Sequence, residues 1–386
     1  MISPLAAARA VGVEIAARHA DDVDARARFP MEAITALKDC RLLGIMVPES
    51  DGGAGAGIAE VASICHALGR SCASTAMIYA MHQIQVACIV HHAVKNPWHR
   101  TFMKRLAGDQ LLLGSATSEA GVGGDLRSSI CAIEEKDGRF SLTKQAPVIS
   151  YGADCDGILV TARRTPQSPA SDQVIVVVPR EGYTLEQKSG WDALGMRGTC
   201  SNGYRLDTTG GMEQVIPVPF ADVSAQTMLP VSHLVWSALW LGIATDAVTR
   251  ARAYVRSEAK RTHGSVSDGS WRLAEAASLL QLMKSNVVAA LRQYEVAMGS
   301  EDRLTALPFA VAMNNLKTGS SQLAVQVIHQ AMLVCGLAGY RNDTAFSLGR
   351  HLRDAHSAAL MINNDRILAK TAQLLVALRE DQGLLE

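Results

Sequence analysis

The amino-acid sequence predicts an α+β protein with a helical N-terminal domain, a middle antiparallel β domain of barrel or sandwich type, and a C-terminal helical bundle. Two observations carry this prediction. Apolar residues recur every three or four positions in the first and last parts of the chain, and short apolar or alternating runs replace that period in the middle. A length of 386 residues suits two or three structural units. We expect domains at residues 1–112, 113–225 and 226–386.

The N-terminal zone is predicted to be helical with one long turn. Residues 1–28 have an amphipathic helical pattern with charges throughout, which excludes a signal peptide there. The turn is expected at residues 48–57, because clustered Gly and Pro cannot propagate a helix. Two sets of apolar residues recur at near-helical spacing: Ile34, Leu37 and Leu42, and then Ile58, Val61, Ile64 and Leu68.

The middle zone is predicted to be β. Short runs separated by polar turns such as residues 136–138 are typical of strands in a compact antiparallel sheet or barrel. The expected strands lie at residues 129–134, 139–142, 157–162 and 174–179.

The C-terminal zone returns to helical periodicity over segments longer than the ~11-residue mean helix. Such helices are expected at residues 244–258, 273–297, 306–336 and 360–379. A helical block, one β block and another helical block match neither the alternation of a Rossmann domain nor that of a TIM barrel. The Gly-rich residues 52–57 follow no strand and precede no Lys, which excludes a phosphate loop.

The composition of the chain excludes several classes of function. Lys+Arg and Asp+Glu both number 37, so the formal net charge is zero, which argues against nucleic acid as the main partner. The eight cysteines form no CxxC pair and are expected to be reduced and structural, with no metal site. The most apolar window, residues 234–244, is too short to span a bilayer. We therefore expect a cytoplasmic protein with no membrane span.

Four segments occur in an order that resembles the acyl-CoA dehydrogenase superfamily over almost the whole chain. The segment at 115–125 is similar to the family's T-E-P-G-x-G-S-D sequence beside the flavin, and the segment at 190–198 is similar to the loop that carries L-G-x-R in many members. The four segments are PESDGGAG at 48–55, SATSEAGVGGD at 115–125, GWDALGMRG at 190–198 and HLRDA at 351–355.

The resemblance implies a homotetramer with one FAD per subunit, acting on an acyl thioester of CoA or of acyl carrier protein. In this family a carboxylate removes the α-proton while the β-hydride passes to the flavin, and an electron-transfer flavoprotein or another acceptor reoxidises the cofactor. The long C-terminal helices also carry more apolar residues than one bundle is expected to bury, which favours assembly: Leu279, Leu280, Leu282, Met283, Val325, Ile328 and Met332.

The resemblance also assigns residues to the flavin. Ser118 takes the place of the family's TEP threonine, and Val148, Ile149 and Ser150 match its W-I-T segment, with Val148 replacing the usual aromatic shield. The alternative is a Gly-rich hairpin without a ligand. The cofactor residues expected in the first two domains are Ser115, Thr117, Ser118, Gly123, Gly124, Val148, Ile149 and Ser150.

In the C-terminal domain the match to the flavin site is weaker. The family's Arg, which reaches the FAD diphosphate of a neighbouring subunit, falls on Glu258. Arg256 and Arg261 are the candidates to supply that charge from a shifted turn, with Lys260 beside them. The alternative is an ordinary solvated, basic helix end.

The catalytic base departs from the family. Counting from the RDA of the HLRDA segment, the usual Glu position holds Ile362, and the alternative position holds Ser232. His233 follows Ser232 and is the first candidate base, because an imidazole suits proton transfer near neutral pH. Asp365 is the rival. The alternative for His233 is a packing or capping role at a helix start.

Three hypotheses remain open: an acyl-thioester dehydrogenase with a relocated base, a flavin monooxygenase on the same fold, and a non-catalytic member. The segment at 190–198 favours the first, whereas the missing Glu and Val148 favour the others. Candidate substrate-pocket residues, with ordinary packing as the alternative, are Tyr79, Met81, His82 and Met361.

Overall fold

A computed structural model describes residues 2–261 and 270–379 of the chain. The chain divides into two compact units, Met1–Ser232 and His233–Glu386, and each is described by itself. The predicted order of helices, strands and helices is confirmed. The three-domain division at residues 112 and 225 stays a prediction.

The first unit begins with helices whose ends follow local sequence signals. Ser3 caps the first helix, and Asn96 caps the sixth with Pro97 as its first residue. The predicted turn at 48–57 is confirmed, and its buried Asp51 accepts from Arg100 at 2.9 Å. The helices are α1 (Pro4–Val11), followed by a π-helical turn at Gly12–Ala16, then α2 (Ala17–Arg26), α3 (Met31–Asp39), α4 (Ile58–Gly69), α5 (Ala73–His92) and α6 (Pro97–Asp109).

Two sheets complete the first unit. One has the order β1-β4-β5 and the other the order β2-β3-β7-β6, in which all pairs are antiparallel. A bulge between Ala146 and Ile149 bends β3. The strands are β1 (Leu113–Ala116), β2 (Glu134–Lys136), β3 (Arg139–Ile149), β4 (Gly157–Arg163), β5 (Gln173–Pro179), β6 (Tyr183–Ser189) and β7 (Asn202–Gly211).

Two features of the sheets differ from the prediction. The pair β1 and β4 is parallel, because the chain between them includes β2 and β3 and returns in the same direction. The strand expected at 129–134 is wrong for most of its length: Ala132 forms an isolated bridge to Arg163, and Glu134 is the first residue of β2. The amides of Ile130 and Cys131 instead donate to the carboxylate of Glu119.

Long helices form the rest of the described chain, as predicted. The helix bounds are α7 (Phe220–Val223), followed by a π-helical turn at Ser224–Met228, then α8 (Leu229–Arg261), α9 (Ser270–Ala297), α10 (Glu301–Leu304), α11 (Leu307–Cys335), α12 (Leu337–Tyr340), α13 (Gly349–His356) and α14 (Asn364–Ala377).

The C-terminal helix expected at 360–379 is shorter than predicted. It begins at Asn364, because Ile362 has a left-handed backbone (φ 46°) and the side chain of Asn363 caps the new helix. The HLRDA segment lies in α13, where the buried His351 donates to the half-buried carboxylate of Asp246 in α8 at 2.8 Å.

Among the described residues, two helical segments are long and apolar enough to cross a membrane by length and composition: Ala73–His92 and Phe220–Arg261. In the most apolar window of each, 89% and 94% of the residues are buried inside the protein. Burial of that extent is typical of core helices, so neither segment is evidence for a membrane span.

Candidate functional site

The structure brings together the two segments predicted to contact flavin. Ser118, which follows β1, donates to the carbonyl of Val148 near the end of β3 at 2.9 Å. The backbone amide of Ala120 donates to Gln145 at 2.9 Å. Segments about 30 residues apart therefore lie side by side, with Ser118 half-buried and Val148 39% exposed. Ser115 lies on β1, and Thr117 directly follows that strand; both are half-buried.

A third segment meets them at Ser150. The hydroxyl of Ser150 lies 2.8 Å from that of Ser201, which in turn lies 2.7 Å from that of Thr199. The amide of Tyr151 donates to the carbonyl of Thr199 at 2.7 Å. Residues 199–201 directly follow the GWDALGMRG segment, so three segments of the chain converge in the first unit. Ile149 is fully buried, so its side chain belongs to the core.

The loop after Ser118 holds the glycines of the motif. Gly123 and Gly124 have φ of 59° and 78°, a region that glycine enters without strain. The loop is closed by Glu119, which accepts the amides of Ile130 at 3.1 Å and Cys131 at 2.6 Å. Glu119 thereby ties the two ends of the loop together, and Gly123 and Gly124 lie exposed within it.

Sequence reasoning missed the buried pair that anchors this loop. The ammonium of Lys144 lies 3.6 Å from the carboxylate of Glu119 and donates to Thr161 at 2.7 Å. Both side chains are almost fully buried, and burial lowers the pKa of Lys144 while Glu119 opposes that effect. The available signal was the alternation of β3, which places Lys144 on the same inward face as Phe140 and Leu142.

His233 lies in the second unit, in the second turn of α8 rather than at a helix start. It is 1% exposed, and its Nδ1 lies 3.0 Å from the carbonyl of Met313 in α11. Because a carbonyl oxygen only accepts, Nδ1 carries the proton of the neutral ring and Nε2 keeps a lone pair. Nε2 has no hydrogen-bond partner among the described residues.

Burial, with the nearby charge of Lys317, lowers the pKa of His233 to about 4. The imidazole is therefore neutral at physiological pH, and its Nε2 is free to accept a proton. The ring is a weaker base than a free imidazole. To accept a proton it therefore needs negative charge close to it in the transition state.

The two family positions for the base are occupied by groups that cannot act as one. Ser232 donates to the carbonyl of Met228 one turn earlier. Ile362 is apolar, and its carbonyl accepts from Lys317 at 2.7 Å. The rival Asp365 is exposed in the first turn of α14, and its amide is capped by Asn363.

The basic residues predicted for the diphosphate lie at the end of α8. Arg256 is exposed, and Arg261 is exposed and pairs with Glu258 at 2.6 Å. Among the residues predicted to line the substrate pocket, His82 is fully buried with both ring nitrogens bonded, to Leu43 and to the amide of Leu113.

The chain is similar to proteins of known family in both sequence and structure. Models of the N-terminal and C-terminal domains of acyl-CoA dehydrogenases match residues 5–110 and 223–362. The probable acyl-CoA dehydrogenase YngJ of Bacillus subtilis is 23% identical over 352 residues, 88% of each chain. The probable FMNH2-dependent monooxygenase SfnC of Pseudomonas putida is 21% identical, over 93% of this chain and 92% of its own.

A solved structure has the same fold. FMN-bound TdsC from Paenibacillus sp. A11-2 superposes with a TM-score of 0.84 at 18% identity, covering 98% of each chain.

Proposed function

The chain belongs to the acyl-CoA dehydrogenase superfamily of flavin-dependent oxidoreductases, and from that premise we propose that it oxidises an acyl thioester to the 2-enoyl thioester with His233 as the base. The substrate is an acyl-CoA or the thioester of an acyl carrier protein. Relatives such as YngJ, a probable acyl-CoA dehydrogenase, support this reaction class.

The observation that carries the proposal is the free nitrogen of His233. Its ring orientation is set by the bond from Nδ1 to Met313, and Nε2 is buried, unprotonated and without a partner among the described residues. A buried polar atom without a partner is costly unless a ligand or water satisfies it. In the proposed reaction the α C–H bond breaks and its proton passes to Nε2, while the β C–H bond breaks with its electron pair and the carbon–carbon double bond forms.

A bound flavin would supply the acceptor for that electron pair and hydrogen. We propose FAD, held by Ser118, Val148 and Ser150, with the glycines of the adjoining loop. Arg256 and Arg261 would reach the diphosphate of a neighbouring subunit, as the family resemblance implies. The half-buried hydroxyl groups of Ser118 and Ser150 support a planar, hydrogen-bonding ring as the ligand.

We also propose a homotetramer and a separate electron acceptor, an electron-transfer flavoprotein or an equivalent. Several large apolar side chains of the second unit are exposed, including Leu282 at 59%, Leu333 at 43% and Leu337 at 69%, as expected for an interface. Of the residues predicted to drive assembly, Met283 and Ile328 are fully buried within the fold and cannot contribute. A cytoplasmic location remains part of the proposal.

One observation favours a second candidate, a flavin monooxygenase. Neither Ile362 nor Ser232 is a carboxylate, and a reaction of reduced flavin with oxygen needs no base for an α-proton. SfnC, a probable monooxygenase, matches the chain over a similar length.

Anaerobic addition of acyl-CoA to the flavin-loaded protein separates these functions. Bleaching of the visible flavin absorbance, with formation of the enoyl thioester, is expected for the dehydrogenase. No bleaching, with oxygen-dependent product formation after chemical reduction, would instead support the monooxygenase. A protein that binds flavin but shows neither bleaching nor oxygen-dependent product formation would support the non-catalytic alternative. Release of FMN alone on boiling would contradict FAD.

A further inference from the structure

Lys317, in α11, is fully buried and ties the turn before α14 to the rest of the second unit. Its ammonium donates to the carbonyl of Ile362 and to the side-chain oxygen of Asn364, both at 2.7 Å. Asn364 is itself buried and donates to the hydroxyl of Ser321, one turn farther along α11, at 2.9 Å. One side chain therefore fixes both ends of this turn.

The turn needs such an anchor because it is strained. Ile362 has φ of 46°, and a β-branched residue stays in the left-handed region only where its surroundings over-determine it. The strained residue is the one that stands at the family's usual base position. Lys317 holds its backbone carbonyl, so the residue that replaces the Glu is kept in place by a buried cation.

The charge of that cation is not balanced. Both of its acceptors are neutral oxygens, and in residues 2–261 and 270–379 no carboxylate lies within ion-pair distance of it. The ring of Trp240 lies 6.0 Å from Nζ, which is a weak compensation. Burial lowers the pKa of Lys317 to about 8, so the ammonium still predominates at pH 7.

His233 contacts the same helix, α11, one turn before Lys317. Its Nδ1 is bonded to Met313, which precedes Lys317 by one turn on the same face of α11. Within the described chain, Lys317 is the charged side chain that acts on the imidazole, second in effect to burial. No carboxylate offsets it there.

We propose that Lys317 is a positioning residue for the reaction proposed above: its ammonium fixes the turn at Ile362, and its uncompensated charge adds to burial in keeping His233 unprotonated. The role rests on the proposed use of His233 as the base. A cation beside a base keeps its lone pair free before the substrate arrives, and it would stabilise the negative charge that develops on the thioester oxygen only if that oxygen came within its reach.

The test is an NMR titration of the holoenzyme labelled with ¹⁵N-histidine, with the His233 signal assigned by its absence in His233→Gln. Lys317→Met removes the charge and the clamp. Asn364→Asp keeps an acceptor for the clamp and supplies the missing counter-charge. In both variants the titration midpoint of His233 is expected to rise by about one pH unit. The exposed Lys284→Met in α9 is the matched control and should leave it unchanged.

Hydrogen exchange of residues 361–364 reports on the clamp separately. Exchange is expected to quicken in Lys317→Met and to stay slow in Asn364→Asp. An unchanged His233 midpoint in Asn364→Asp, which does not depend on whether Lys317→Met folds, would overturn the inference. Bleaching by acyl-CoA is recorded on the wild type in parallel, so an enzyme that fails to bleach refutes the proposed function whatever the titration shows.

Discussion

The two units each bury one lysine completely in the described residues, and they treat its charge differently. In the first unit Lys144 faces the carboxylate of Glu119 and the two oxygens of Thr161. In the second unit Lys317 faces only neutral oxygens. The first arrangement balances the charge and anchors a loop, whereas the other leaves a charge available to act on its neighbours.

Two of the four buried histidines of the described residues repeat the contrast. His82 in the first unit uses both ring nitrogens, whereas His233 in the second uses only Nδ1. Burial lowers the pKa of each to about 4, so the pKa does not distinguish them. The unpartnered Nε2 distinguishes His233 from His82, because an open polar atom is a candidate for chemistry. Among the described residues, buried His99 and His351 also have ring nitrogens without a partner, and the place of His233 next to Ser232, the family's alternative base position, selects it among them.

The largest expected effect tests this contrast directly. His233→Gln should lower the rate of acyl-CoA-driven flavin reduction by about 10²–10⁴-fold, the usual contribution of a general base, because the amide cannot accept the proton. Flavin content should not change, since the predicted flavin contacts lie in the first unit. Stopped-flow reduction and the absorbance ratio of flavin to protein measure the two quantities.

Two controls accompany it. His82→Gln should reduce stability and leave the intrinsic reduction rate of the folded enzyme near that of the wild type, because His82 bonds only to the backbone. Asp365→Asn should also leave the rate unchanged. A loss of reduction in Asp365→Asn with none in His233→Gln would show that the base is the exposed carboxylate.

The next effect concerns the balanced lysine. Glu119→Gln or Lys144→Met should each lower the free energy of unfolding by about 3–5 kcal/mol, because each leaves a buried charge without its partner. The double variant should lose less than the sum of the two, and urea unfolding measures all three. Additive losses would mean that the two side chains act independently.

The unbalanced lysine should make stability depend on pH in the opposite way to a favourable ion pair. Its folded-state pKa of about 8 lies below the ordinary 10.5, so the unfolded chain binds this proton more tightly. Lys317 therefore destabilises the fold below about pH 8, and the penalty disappears as the pH rises toward 10.5. Relative to that of Lys317→Met, the free energy of unfolding of the wild type should rise by about 3 kcal/mol between about pH 7 and about pH 10.5.

Urea midpoints of the two proteins at both pH values give this difference, and other titrating groups cancel because both chains share them. A difference that does not vary with pH would mean that Lys317 has an ordinary pKa in the folded protein.

The smallest effect is expected at the flavin segments. Ser150→Ala removes one neutral hydrogen bond with Ser201 and one proposed flavin contact, each worth about 0.5–1.5 kcal/mol. Flavin affinity should fall by about tenfold, measured by fluorescence titration of the apoprotein. Ser141→Ala, exposed on the preceding strand β3, is the control. Equal affinities in the two variants would remove Ser150 from the flavin site.

Much of the fold follows from local patterns. Helical spacing predicted α3 and α4, and alternation with turn residues predicted β4 and β5, because these elements bury one face or lie wholly in the core. The strand at 129–134 failed because a side chain from another segment, Glu119, takes its amides. Lys144 and Lys317 were missed for the related reason that their partners are distant in sequence.

The sequence by itself determined the order of helices and strands, the family, and the absence of a carboxylate at Ile362 and Ser232, since each of these depends on residue identity and spacing along the chain. Only the tertiary structure decided which of the buried histidines have a free nitrogen and which of the two buried lysines of the described residues has a counter-ion. Those properties are set by backbone carbonyls and side chains brought from distant segments, as at Met313 for His233 and at Ile362 for Lys317. Residue type and local periodicity do not predict these partners.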